Sequence, residues 1–130
     1  MSSFVSVVFT MELAVPNSTL NTTPINAVPA TNTLAATTVS YNPAFQVLTT
    51  LTTIPLPNTP VQVAYVKNLD PSNPITVAFT PVGFSATSIT LPPGAVFLYF
   101  NPSETDGGGI SALAATATGA TVNAEVFLGY

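Results

Sequence analysis

Between Val5 and Leu13 apolar residues recur at every second position. Val5, Val7, Phe9, Met11 and Leu13 share one parity, while Ser6, Thr10 and Glu12 take the other. Successive side chains of a strand point to opposite faces, so this is the pattern of a strand with one face buried. The parity returns at Val61, Val63 and Tyr65, at Ile75, Val77 and Phe79, and at Val122, Ala124, Val126 and Leu128. β-Branched Thr, Val and Ile are abundant, which suits a pleated surface. Helical runs with capping boxes are absent, and the Ala-rich segment "ISALAATATGATVNAEVF" is interrupted by Gly119, so it reads as two strands around a turn.

Turn signals fall between these strands. "NLDPSNP" (Asn68 to Pro74) carries Asp-Pro and Asn-Pro chemistry, and "PVGF" (Pro81 to Phe84) and "PPGA" (Pro92 to Ala95) mark two more reversals. Pro93-Gly94 suits the centre of a type II turn, because proline presets φ and glycine supplies φ > 0. "NPSETDGGG" is a longer loop, and Thr118-Gly119 closes the last reversal. From Val61 onward the expectation is six consecutive antiparallel strands joined as hairpins. With the N-terminal strand and one or two more in 34–54, the count is about eight. The fold expected is therefore all-β, an antiparallel β-sandwich or jelly roll formed by a single domain over residues 1–130. Residues 14–33 show no periodicity. They read either as an arm laid across a neighbouring subunit, with Leu20, Ile25 and Val28 as apolar anchors, or as a long crossover loop.

Charge is the scarce commodity of this chain. Only 5% of its residues are charged, against about a quarter in ordinary domains, although the 47% hydrophobic content is normal. Such a surface must hydrate through hydroxyls and amides and has little to repel association. A surface largely covered by partners in an assembly fits this composition; so does an extracellular domain whose neutral polar face suffices. With Lys67 as the one cation, nucleic-acid binding is excluded, because phosphate neutralisation takes several Lys or Arg. The same shortage excludes a basic genome-binding arm and cationic contact with anionic lipid. Without cysteine there are no disulfides or thiolate metal sites. "MSSFVSVVFTMELAVP" lacks a positive n-region, which makes it a poor signal peptide. No apolar run reaches the ~18 residues of a spanning helix, and few ionic groups exist to line an outer-membrane barrel.

Catalysis finds little to work with. There is no histidine, and the closest carboxylate pair, Glu104 and Asp106, lies in a Gly-rich loop where solvation keeps both ordinary. Calcium binding by that loop is chemically possible, but the spacing departs from the EF-hand pattern. "DGGG" lacks the Lys-Ser/Thr of a phosphate cradle. The expectation is a non-enzyme with no cofactor and no metal. Two N-x-Ser/Thr sequons, at Asn17 and Asn21, are what chance gives in a chain rich in Asn and Thr. Phe84, Phe97, Tyr99 and Tyr130 are candidate contact residues. "VFLYF" (Val96 to Phe100) is apolar on both parities, which implies cover on both faces by core or by a neighbouring subunit. Lys67 reads as a solvated strand end beside Asp70.

The series "VAYVKNLDPSNPITVAF", "ITLPPGAVFLYF" and the closing "VNAEVFLGY" resembles small virion proteins of tailed bacteriophages, over Val61 to Tyr130. The resemblance implies a β-sandwich without enzymatic activity, trimeric or pentameric. It implies a capsid decoration or cement protein on the shell exterior, in contact with the major capsid protein. A tail, neck or vertex component is the alternative within that class. From another class, an extracellular adhesive or carbohydrate-binding β-sandwich stays open.

Overall fold

The computed structural model describes residues 5–13, 28–36, 39–56, 60–101 and 108–130, with side chains from 39 onward. Its strands are β1 (Val5–Leu13), β2 (Val28–Ala36), β3 (Val39–Val47), β4 (Thr52–Thr53), β5 (Val63–Asn68), β6 (Ile75–Pro81), β7 (Thr87–Leu91), β8 (Val96–Phe100), β9 (Ile110–Ala117) and β10 (Val122–Gly129). Eight of them, β3 to β10, make two four-stranded antiparallel sheets ordered β3-β10-β5-β8 and β4-β9-β6-β7. The expected all-β sandwich is the fold observed. Successive strands alternate between the sheets everywhere except β6–β7, which is the interleaving of a jelly roll.

That alternation corrects one expectation. The six strands after Val61 are present, but they are not consecutive hairpins, since β6–β7 is the one hairpin among them. The turn chemistry explains the difference. Phe84 N–H donates to Pro81 O and Ala95 N–H to Pro92 O, each at 3.0 Å, with Gly83 at φ 80° and Gly94 at φ 78°. Turns with glycine at the third position splay their strands, whereas tight hairpins need the mirror-image turns. The five residues 82–86 leave β6 and β7 room to re-pair. Pro92–Ala95 has no such slack and carries the chain across to the other sheet.

Both sheets send one parity inward. β10 contributes Val122, Ala124, Val126 and Leu128, and Ile75 and Val77 of β6 meet them, all at most 3% exposed. The Phe79 ring of β6 packs tilted against Phe97 and Tyr99 of β8, with ring centroids 4.9 Å and 6.2 Å apart, joining the sheets at one edge. On β5 the expected inward parity is corrected: Ala64, Val66 and Asn68 join the core side, while Tyr65 is half-buried on the outer face. Val61 and Val63 are buried as expected, but tyrosine tolerates either side, and Tyr65 extended the alternation falsely.

Asn68 is fully buried and ties the ends of several elements together. Its amide donates to Asn73 O at 2.9 Å and Leu91 O at 3.0 Å, and its Oδ1 accepts Asp70 N–H at 2.9 Å. Its backbone exchanges bonds with Ala95 O and Gly94 N–H at 3.0 Å. Asp70 then caps the loop, accepting from Ser72 N–H at 2.7 Å, Asn73 N–H at 2.6 Å and the Asn73 amide at 3.2 Å. The run "NLDPSNP" is thus a hydrogen-bonded plug, and Asn68 links β5 of one sheet to β7 of the other. Those bonds hold Asp70 below the ordinary carboxylate value of 3.8.

β1 and β2 form a separate two-stranded antiparallel ribbon. Its register sets Val5, Val7, Phe9, Met11 and Leu13 opposite Ala36, Leu34, Asn32, Ala30 and Val28. The irregular reading of 14–33 is therefore corrected for 28–33, which are strand, and Val28 is a paired strand residue. Apolar residues separated by Pro, Thr and Asn hid the period. Leu20 and Ile25 lie outside the described residues, as do Glu104 and Asp106.

Candidate functional site

The outer face of β3-β10-β5-β8 gathers the aromatic and charged side chains of the sandwich. Because the even-numbered residues Val122 to Leu128 of β10 point inward, Glu125 and Phe127 point out. Phe127 pairs with Tyr41 on β3 and Tyr65 on β5, and Tyr65 pairs with Leu98 on β8. One row of large side chains thus crosses all four strands. Tyr41 at its end is 57% exposed, and Leu98 and Val96 are exposed too. The adjacent row is Glu125, Lys67 and Val96.

A bulge aims this cluster. Ala124 pairs with Phe45 but Val126 pairs with Asn42, so Pro43 and Ala44 stand opposite the single residue Glu125. Pro43 has no N–H for the ladder, and the Asn42 side chain accepts Ala44 N–H at 3.0 Å in its place. Tyr41 O–H then donates to Glu125 Oε2 at 2.7 Å, and Tyr65 O–H donates to the same carboxylate. These two bonds and the Lys67 charge hold Glu125 below its ordinary value of 4.5. In turn the carboxylate raises Tyr41, and burial followed by the carboxylate raises Tyr65. Lys67 therefore faces Glu125 across the ladder, while the Asp70 carboxylate is taken up by its own loop. The arrangement is a hydrogen-bonding platform with flat apolar margins. Its carboxylate, held ionised, is an acceptor and not a proton donor at neutral pH.

The opposite outer face, of β4-β9-β6-β7, is smooth. Thr53, Ala114, Ala78 and Ser88 run across it in one row and Thr116, Thr76 and Thr90 in the next. Over it lies a groove of about 440 Å³, floored by Ala78, Ala112 and Ala114 and walled by Leu51 and Leu56, with no charged residue in its lining. Leu51 is 70% exposed.

The candidate contact residues separate. Phe84 is exposed at its turn. Phe97 and Tyr130 are buried and Tyr99 half-buried against the core, so the exposed members of "VFLYF" are Val96 and Leu98. Tyr41, Tyr65 and Glu125 were missed by the sequence reading, because their meeting depends on cross-sheet register and on a bulge signalled only by Pro43 in an alternating run. Among the described residues no group of three or more His, Cys, Asp or Glu stands together to hold a metal, and no helix is long and apolar enough to cross a membrane. Comparison with protein-family models, with curated proteins and with solved structures returns no match.

Proposed function

We propose that this chain is a structural protein of a bacteriophage particle, a decoration or cement protein whose sandwich lies against the shell as a homo-oligomer. The carrying observation is the outer face of β4-β9-β6-β7, a flat surface of Ala, Thr and Ser beside an uncharged groove and the exposed Leu51. A surface of this kind can be covered without desolvating an ion, so contact costs little and apolar burial contributes about 25 cal/mol per Å². Jelly rolls serve in viral capsids and in lectins, which makes the fold compatible with the reading without selecting it. The test is purification of icosahedral particles: the chain should sediment with them in fixed stoichiometry, and its absence from washed particles would refute the proposal.

A second reading draws on the other face. Tyr41, with Glu125 as a fixed acceptor, offers the ring-and-carboxylate chemistry that a saccharide recognises. Binding to a glycan array that is abolished by Tyr41→Ala would favour an adhesive role over a shell role.

A further inference from the structure

β8 differs from the other edge strands of the sandwich. Among the described strands it pairs with β5 alone, in one register over Val96 to Phe100. An edge offers a row of backbone N–H and C=O groups to any strand laid beside it, and proteins blunt such edges with charge, proline, bulges or short length. β3 carries the Pro43–Ala44 bulge, β4 is two residues long, and β7 is mostly Thr and Ser. β8 has none of these protections. Its sequence "VFLYF" is aliphatic or aromatic at every position, and Val96 and Leu98 are 46% and 36% exposed.

The hydrogen bonds at its two ends show which backbone groups face the open side. Asn68 N–H donates to Ala95 O at 3.0 Å, and Asn101 N–H donates to Gln62 O at 2.9 Å. Backbone groups alternate in direction along a strand, so Ala95, Phe97, Tyr99 and Asn101 turn theirs toward β5. Those of Val96, Leu98 and Phe100 point away from it. A second β8 laid antiparallel and centred on Leu98 matches this phase. Leu98 then meets the partner's Leu98 and Val96 meets the partner's Phe100, and the three hydrogen-bonded pairs exchange six bonds. The side chains match as well. On the outer face the row Tyr41, Phe127, Tyr65 and Leu98 continues into the same row of the second copy. On the inner face Phe97 meets the partner's Tyr99, an aromatic cross-strand pair. No ion enters the new ladder, because β8 holds none.

We propose that β8 is the self-association edge of the protein, pairing antiparallel with β8 of a second copy about a two-fold axis at Leu98. Two four-stranded sheets become one continuous sheet, ordered β3-β10-β5-β8-β8-β5-β10-β3. The contact is isologous and closes on itself. It gives the homo-oligomer of the shell reading an interface without resting on that reading, because self-association is measured on the isolated chain and particle attachment on particles.

The cysteine-free sequence makes the test direct. In a hydrogen-bonded pair the two Leu98 Cα atoms lie about 5.5 Å apart, within disulfide reach, whereas the two Val96 Cα atoms are more than about 13 Å apart. Under mild oxidation full-length Leu98→Cys should give covalent dimer. An equal mixture of Val96→Cys and Phe100→Cys should give mostly heterodimer, and Val96→Cys alone about tenfold less, although Val96 is the more exposed position. Sedimentation equilibrium of the parent chain should show a concentration-dependent dimer. Leu98→Lys should weaken it about tenfold or more while the β-sheet circular dichroism persists. A parent chain that stays monomeric at millimolar concentration, equal dimer from Val96→Cys alone, or unchanged association of Leu98→Lys would overturn the proposal. So would dimer from Leu98→Cys mixed with Ile89→Cys but not from Leu98→Cys alone, which would seat β8 on the partner's β7. Slow hydrogen exchange of the Leu98 amide in the monomer would overturn it too, because the edge would then be paired within its own chain.

Discussion

The two outer faces of the sandwich share a core but are built on opposite principles. The β3-β10-β5-β8 face is specific: a bulge at Pro43–Ala44, two tyrosine hydroxyls on one carboxylate and a lysine in the next strand fix its geometry. The β4-β9-β6-β7 face has short side chains, and its polar contact between Thr76 and Thr90 is long at 3.4 Å. Nearly all the ionic character of the described sandwich sits on the first face, with Asp70 in its loop. The lesson is that scarcity of charge need not mean uniformity. The carboxylates of the described sandwich are engaged by tyrosine hydroxyls or by loop amides on that side, and this leaves the opposite face free to be covered at low desolvation cost.

The largest effect should come from separating the sheets that carry these faces. Asn68→Ala removes the buried side chain that joins β5 to Leu91 O and Asn73 O and that accepts Asp70 N–H. Urea denaturation should show a loss of about 2–4 kcal/mol, a large part of the ~5–15 kcal/mol of an ordinary domain. A loss below about 1 kcal/mol would mean that the sheets hold together without the plug.

Next in size is a charge placed on each face in turn. Ala114→Glu should leave folding nearly intact but weaken attachment to particles by about 30-fold or more, because an unmatched interfacial charge must be desolvated. Leu98→Glu and Lys67→Ala should change retention little. Equal losses from Ala114→Glu and Leu98→Glu would erase the distinction between the faces.

Smaller again is the pH response of the first face. Glu125 and Asp70 are depressed in the folded chain, so their contribution is present above the ordinary values of 4.5 and 3.8 and is lost as pH falls through the folded values. Tyr41 is raised, so its contribution is present below its ordinary value of 10.0 and is lost as pH rises through the folded value. Thermal melts of Glu125→Gln should show a flatter acid limb than the parent, with Asp70 left to supply the remainder. Identical limbs would mean that the carboxylate is not engaged. The smallest change is Thr90→Val on the smooth face, within about 0.5 kcal/mol in the same melts.

How much of this was legible follows from the range of each interaction. The inward parity of β6 and β10 stood in the sequence because alternation is local, and the Pro92–Ala95 turn because Pro-Gly is a local signal. The jelly-roll interleaving did not, since the same turn residues serve hairpins and crossovers. Asn68 looked like a turn residue and proved to be core, because its partners Asn73 O and Leu91 O are set by tertiary packing. Tyr41 and Glu125 are 84 residues apart, and no local pattern joins them.

Attachment through a neutral face is the central claim, and salt is its sharpest probe, since the screening length falls from about 10 Å at 0.1 M to about 3 Å at 1 M. The measurement is the amount of this chain that sediments with purified particles in 0.1 M and in 1 M NaCl. The account predicts equal retention at both concentrations. Shedding at 1 M would show attachment by ion pairs, and absence from the particles at 0.1 M would contradict the structural role itself.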